Sequence, residues 1–185
     1  MKRLFTALPI PLSEEVKSNI RTLQQNLKGE RIRWIPADNM HLTLKFFGDT
    51  PGKQVPELVK ALKGATNAQP AFTLVMNRMG IFGSRYNPRV VWLGFEENRE
   101  LYQLKRNITH HLETIGIFED RQNFVPHLTV ARIKKLSDRK FFQQRFDMFK
   151  DNFYQEILCS QLILYESILE PTGATYKVIH TFDLT

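Results

Sequence analysis

The four-letter word His-Leu-Thr-apolar occurs twice, as "HLTL" at residues 41–44 and "HLTV" at residues 127–130, in a chain with only five histidines. Each copy sits at the same place in a repeated pattern of elements. In the first half, "RLFTALPI" at residues 3–10 reads as a strand. From Ser13 a helix follows, with Val16, Ile20, Leu23 and Leu27 at helical spacing, Glu14 and Glu15 in its first turn, and Gly29 at its end. A polar loop with Trp34 and Pro36 leads to the strand "MHLTLKFFG". A helix over 52–64 carries Val55, Leu58, Val59 and Leu62 on one face, and "AFTLVMNRMGIF" is a further strand.

The second half repeats this order. "RVVWLGF" is a strand, and a helix over 98–115 bears Leu101, Leu104, Ile108, Leu112 and Ile115. "FVPHLTVARI" is the next strand, "DRKFFQQRFDMF" a helix, and "LCSQLILYESILE" and "YKVIHTFDL" a closing hairpin across "PTGA". Leu4 precedes His41 by 37 residues, and Val90 precedes His127 by 37. This internal duplication constrains the fold more than any other feature, because both words must take equivalent places. The alternation of strands and helices also fits a parallel sheet, but no Gly-rich phosphate loop follows the first strand. The expected class is therefore α+β and bilobal: mainly antiparallel sheets, helices on the outer faces, and a central cleft. The expectation is a single domain over 1–185, with one lobe from about 1–85, the other from about 86–185, and terminal segments able to exchange between them.

Composition narrows the setting. Of 185 residues, 42% are apolar and 24% charged, as in globular domains. No run approaches the ~18 apolar residues of a membrane span. The basic, apolar start is interrupted by Pro9 and Pro11 and runs into a charged helix, so a signal peptide is not expected. The single cysteine, Cys159, permits no internal disulfide and reads as buried and inert; a cytoplasmic, monomeric protein is the expectation. The net charge of +7 favours a polyanionic or phosphate-bearing partner.

On a strand, residues two apart share a face. His41 and Thr43 therefore stand together with Leu42 and Leu44 behind them, and His127 and Thr129 stand with Leu128 and Val130 behind. If the lobes pack about a pseudo-twofold axis, the two pairs meet. Two opposed imidazoles suit the breaking of a phosphodiester. One neutral ring takes a proton from the nucleophile and one protonated ring gives a proton to the leaving oxygen; a pKa of ~6.5 supplies both forms near neutrality. The threonine hydroxyls suit the non-bridging phosphate oxygens. This physics leaves open which histidine is acid and which is base. No GxSxG, Walker A or GxGxxG motif is present. The words bring no carboxylate or thiolate at ligand spacing, so no metal or other cofactor is expected.

The paired words, with "RLFTALPIP", "RWIPADNMHLTLKFFGD", "NPRVVWLGF" and "FVPHLTVAR", resemble the 2H phosphoesterase superfamily, in its branch of RNA 2′,3′-cyclic phosphodiesterases, also called 2′-5′ RNA ligases. The resemblance spans nearly the whole chain. It implies hydrolysis of an RNA 2′,3′-cyclic phosphate to a 2′-phosphate without a metal, with His41 as proton donor to the 3′ oxygen and His127 as proton acceptor from water. It also implies substrate contacts at Phe46, five past His41, and Arg132, five past His127. A phenylalanine can stack on a base and an arginine can bind phosphate. Ideal alternation, however, points Arg132 away from His127. Cleavage or joining of 2′-5′ linkages, or opening of a small cyclic nucleotide, is the alternative with the same chemistry; a non-catalytic RNA-binding module is the alternative of another class. His110, His111 and His180, the two tryptophans and the loop "GSRYNPR" read as packing or surface features.

Overall fold

A computed structural model describes residues 1–84, 86–119, 123–151, 153–171 and 173–185. Arg85 of the "GSRYNPR" loop and Thr172 of the "PTGA" turn lie outside the described residues. The first half runs β1 (Lys2–Pro9), α1 (Glu14–Asn26), β2 (Arg31–Trp34), β3 (His41–Thr50), α2 (Val55–Thr66) and β4 (Phe72–Ser84). The second runs β5 (Asn87–Phe95), α3 (Arg99–Glu113), β6 (His127–Lys135), α4 (Arg139–Phe149), β7 (Gln155–Cys159), β8 (Gln161–Glu170) and β9 (Gly173–Asp183).

Three of the helices start where a side chain satisfies a free backbone N–H group, whereas α2 has a proline, Pro56, in its first turn and no side-chain cap. Ser13 accepts from Val16, Asn98 from Leu101, and Asp138 from Phe141. Their apolar stripes enter one continuous core with the inward residues of the strands. Leu42 and Leu128 are fully buried there, each contributing about 1.5–3 kcal/mol by leaving water. α1 packs on α4 and α2 on α3, so each helix pair takes one member from each half. Among the described residues, no helix is long and apolar enough to cross a membrane.

Every strand pairing is antiparallel, in the order β7-β4-β5-β6-β3-β1-β8-β9, with β2 also on β6. A single rung, Leu42 opposite Leu128, joins β3 to β6 at the centre. The strand that closes the first half, β4, lies beside β5 of the second, and β8 lies beside β1 of the first.

Three expectations from sequence need correction. The loop carrying Trp34 contains a strand, β2, whose Ile32 and Trp34 pack on the core while Arg31 and Arg33 stay exposed. The strand "LCSQLILYESILE" is two strands: β7 pairs with β4, and after Ser160 the chain crosses to pair β8 with β1. The equal 37-residue spacing is also one residue out of true register. Opposite the residue five past each motif histidine stand Phe5 and Val90, so Val90 corresponds to Phe5 and not to Leu4.

Candidate active site

The two words fold into copies of one device. From the histidine onward, β3 and β6 show the same burial sequence: half-buried His, buried Leu, half-buried Thr, then two buried residues, then an exposed one. Two consecutive buried residues break strand alternation, and the register gives the cause. On β1, Thr6 faces Lys45 and Ala7 faces Thr43, which leaves Leu44 without an opposite number. On β5, Val91 faces Ala131 and Trp92 faces Thr129, which leaves Val130 without one. Each is a β-bulge, and the extra residue flips the facing of everything after it. Phe46 and Arg132, exposed and five past their histidines, thereby return to the His-Thr face. The bend that ideal alternation lacked at Arg132 is this bulge.

The words meet at the Leu42–Leu128 rung. Around an antiparallel rung, the residue before one partner faces the residue after the other, so His41 lies toward Thr129 and Thr43 toward His127. All four point away from the buried leucines. Each imidazole is held alike: Nδ1–H of His41 donates to the Asn39 carbonyl at 2.8 Å, and Nδ1–H of His127 to the Val125 carbonyl at 2.8 Å. This tautomer leaves Nε2 to accept a proton when the ring is neutral and to donate one when it is charged.

Burial disfavours the charged form and lowers the pKa of His41 below 6.5; the Asn39 carbonyl opposes this, and the positive charge of His127 lowers it again. His127 is also lowered, by burial first, against the Val125 carbonyl, with the Arg132 charge adding to the fall. The two histidines and Arg132 thus share one electrostatic neighbourhood.

The rings around the histidines were not legible in the motifs. Phe5 lies 4.7 Å from His41, Tyr176 meets His41 edge-on at 5.1 Å, and Tyr165 stacks on Phe5 at 5.2 Å. Phe46 reaches Phe5 at 5.8 Å. Around His127, Phe82 stands edge-on at 4.7 Å, with Trp92 beyond it at 5.4 Å from Phe82. Trp92 spreads over Gly80 and Gly94, where a methyl group on either glycine would collide with the indole.

Other candidates fall away from this face. His111 packs its ring against Gly64 and donates from Nδ1 to the Asn107 carbonyl, which makes it a spacer between α2 and α3. Cys159 is buried, and burial pushes its thiol up to about 12. Among the described residues, no three His, Cys, Asp or Glu side chains cluster as metal ligands.

Residues 10–92 match the LigT like Phosphoesterase family. An RNA 2′,3′-cyclic phosphodiesterase of Thermotoga maritima is 32% identical over 95% of this chain and 92% of its own. One from Methanocaldococcus jannaschii is 30% identical over 96% and 98%. The crystal structure of E. coli LigT complexed with 3′-AMP superimposes with a TM-score of 0.77, at 28% identity, covering 100% of this chain and 98% of that one. With the same architecture, end-to-end coverage and identity of this order, the chain belongs to the LigT-like phosphoesterases of the 2H superfamily.

Proposed function

We propose that this chain is an RNA 2′,3′-cyclic phosphodiesterase that opens the cyclic end to a 2′-phosphate by two-histidine acid–base catalysis. The observation that carries the reading is the pair of bulged strands meeting at Leu42–Leu128. They bring two identically tethered imidazoles and two hydroxyls to one face.

In this reading the cyclic phosphate lies over that rung. His127, neutral, takes a proton from water as the water oxygen attacks phosphorus. His41, charged, gives its proton to the 3′ oxygen as the P–O3′ bond breaks. Water's oxygen is now on phosphorus, O3′ carries a proton, and the two histidines have exchanged protonation states; proton exchange with solvent resets them. Thr43 and Thr129 donate to the non-bridging oxygens, where negative charge accumulates. Phe46 offers its exposed ring to a base, and Arg132 its guanidinium to phosphate. The five-membered ring contributes its own strain, so no metal is required. The whole chain then works as one domain of two lobes, with β4 serving the lobe of His127 and β8–β9 the lobe of His41, as the strand order supports.

The test is an oligonucleotide ending in 2′,3′-cyclic phosphate, incubated with the protein and EDTA. The expected product is the 2′-phosphate. A 3′-phosphate product, or no turnover, contradicts the proposal.

A further inference from the structure

The unanticipated strand β2 places a second arginine beside Arg132. In the β2–β6 ribbon, Arg33 stands directly opposite Arg132 and Arg31 opposite Lys135. All four are exposed, on the side away from Ile32, Trp34 and Ile133, which pack on the core. That is the side to which the bulge at Val130 turns Arg132, continuous with His127 and Thr129.

Arg33 is more than a stray surface cation. One guanidinium nitrogen lies over Gly173, close enough that a methyl group there would sit 2.9 Å from it. Gly173 begins β9, and the next residue, Ala174, accepts a hydrogen bond at 3.1 Å from the side chain of Asn39, whose own carbonyl holds His41. Three residues along, the hydroxyl of Tyr176 feels the charges of both Arg132 and Arg33, while its ring lies edge-on to His41. Arg33 therefore stands where the two lobes meet, between the His41 wall and the Arg132 rung.

Two guanidiniums opposite each other on neighbouring strands repel unless an anion lies between them. Among the described residues, no hydrogen bond or ion pair engages the side chain of either. The neighbouring acid, Glu30, is turned to the backbone N–H groups of Ser137 and Asp138. A second rung, Arg31 and Lys135, continues the positive line about 7 Å further along the strand, at ~3.3 Å per residue.

We infer that Arg33 and Arg132 form a second anion subsite, which binds the phosphodiester next to the cyclic end and so makes the enzyme favour an RNA chain over a free cyclic nucleotide. The inference rests on the cyclic phosphodiesterase reading. The phosphate being cleaved lies over the four motif side chains, and the neighbouring phosphate of a chain reaches the arginine rung. A lone nucleotide has no such group and makes no use of Arg33.

The experiment compares kcat/KM for a nucleoside 2′,3′-cyclic phosphate and for a short oligonucleotide with the same cyclic end. It uses the wild-type protein, Arg33→Gln, and Lys60→Gln as an equal change of charge on α2. Affinity for the same oligonucleotide ending in a 2′-phosphate is measured in parallel across salt concentration. The expected result is a preference for the oligonucleotide that falls about tenfold in Arg33→Gln, mostly through KM, and is unchanged in Lys60→Gln. Binding weakens by a similar factor, and its salt slope drops by about one. An unchanged preference in Arg33→Gln, or an unchanged salt slope, overturns the subsite. Failure of the wild-type protein to turn over either substrate instead overturns the activity, and the binding arm still decides the subsite.

Discussion

The two halves of the active face share a backbone and differ in what they present. The β3 wall and the β6 wall have the same tethered histidine, the same threonine, the same bulge and the same exposed residue after it. Around His41 that frame is dressed with rings: Phe5, Phe46, Tyr165 and Tyr176. Around His127 it carries Arg132 and, through β2, Arg33, with Phe82 as the ring in contact. On the proposed reading, the difference teaches that the duplication keeps the geometry used at one phosphorus atom, while the flanks diverge to meet different parts of the same ligand: an aromatic wall for a base and ribose, a cationic wall for a phosphate chain.

The largest expected effect tests the shared frame. His41→Ala and His127→Ala each lower kcat by roughly 10²–10⁴-fold. The double variant loses much less than the product of the two, because a pair with one member missing no longer works as a pair. Fully multiplicative losses, seen in single-turnover rates, contradict concerted use. Thr43→Val and Thr129→Val come next, each costing about 10² in kcat if each hydroxyl donates to a developing oxyanion. A loss confined to KM assigns them to ground-state binding instead.

The divergent flanks are separated by a third comparison. Phe46→Ala weakens substrate by about tenfold or more, as loss of base stacking does, with an unchanged salt slope. Arg132→Gln weakens substrate with a reduced salt slope. If both variants respond to salt alike, the contrast between the walls is wrong.

The smallest effect is in pH. Both histidines are lowered below 6.5, so the folded chain holds fewer protons than the unfolded chain just below that pH. Their contribution to stability is full above 6.5 and declines as pH falls toward the folded values. Melting temperature should therefore fall on acidification more steeply in the wild type than in the doubly substituted His41→Gln, His127→Gln protein. The Arg132 charge also lowers His127, so Arg132→Gln should shift the acidic limb of kcat/KM, which reports the base, toward higher pH.

Much of this is legible in the sequence. The four motif side chains announce themselves by repetition, and the helices by spacing and caps. What stayed hidden depends on a partner strand. A bulge exists only relative to the neighbour it slips against, so nothing local at Leu44 or Val130 reveals it, and ideal alternation misdirects Arg132. β2 has four residues of alternating charge and bulk, which periodicity cannot separate from a loop. Its pairing with β6 is what makes Arg33 a neighbour of Arg132. Tyr165 and Tyr176 reach His41 because after Ser160 the chain crosses to pair β8 with β1, a choice made by packing over more than 100 residues of intervening chain.

The central claim is that one repeated word has been divided into an acid and a base. The most direct measurement replaces the 3′ oxygen by a leaving group that needs no proton. A 3′-deoxynucleoside 2′-(4-nitrophenyl phosphate) releases nitrophenolate when water attacks. The account predicts that His41→Ala turns this substrate over within about tenfold of the wild-type rate, while His127→Ala stays defective by roughly 10²-fold or more. Equal defects in the two variants, or rescue of His127→Ala alone, would contradict it.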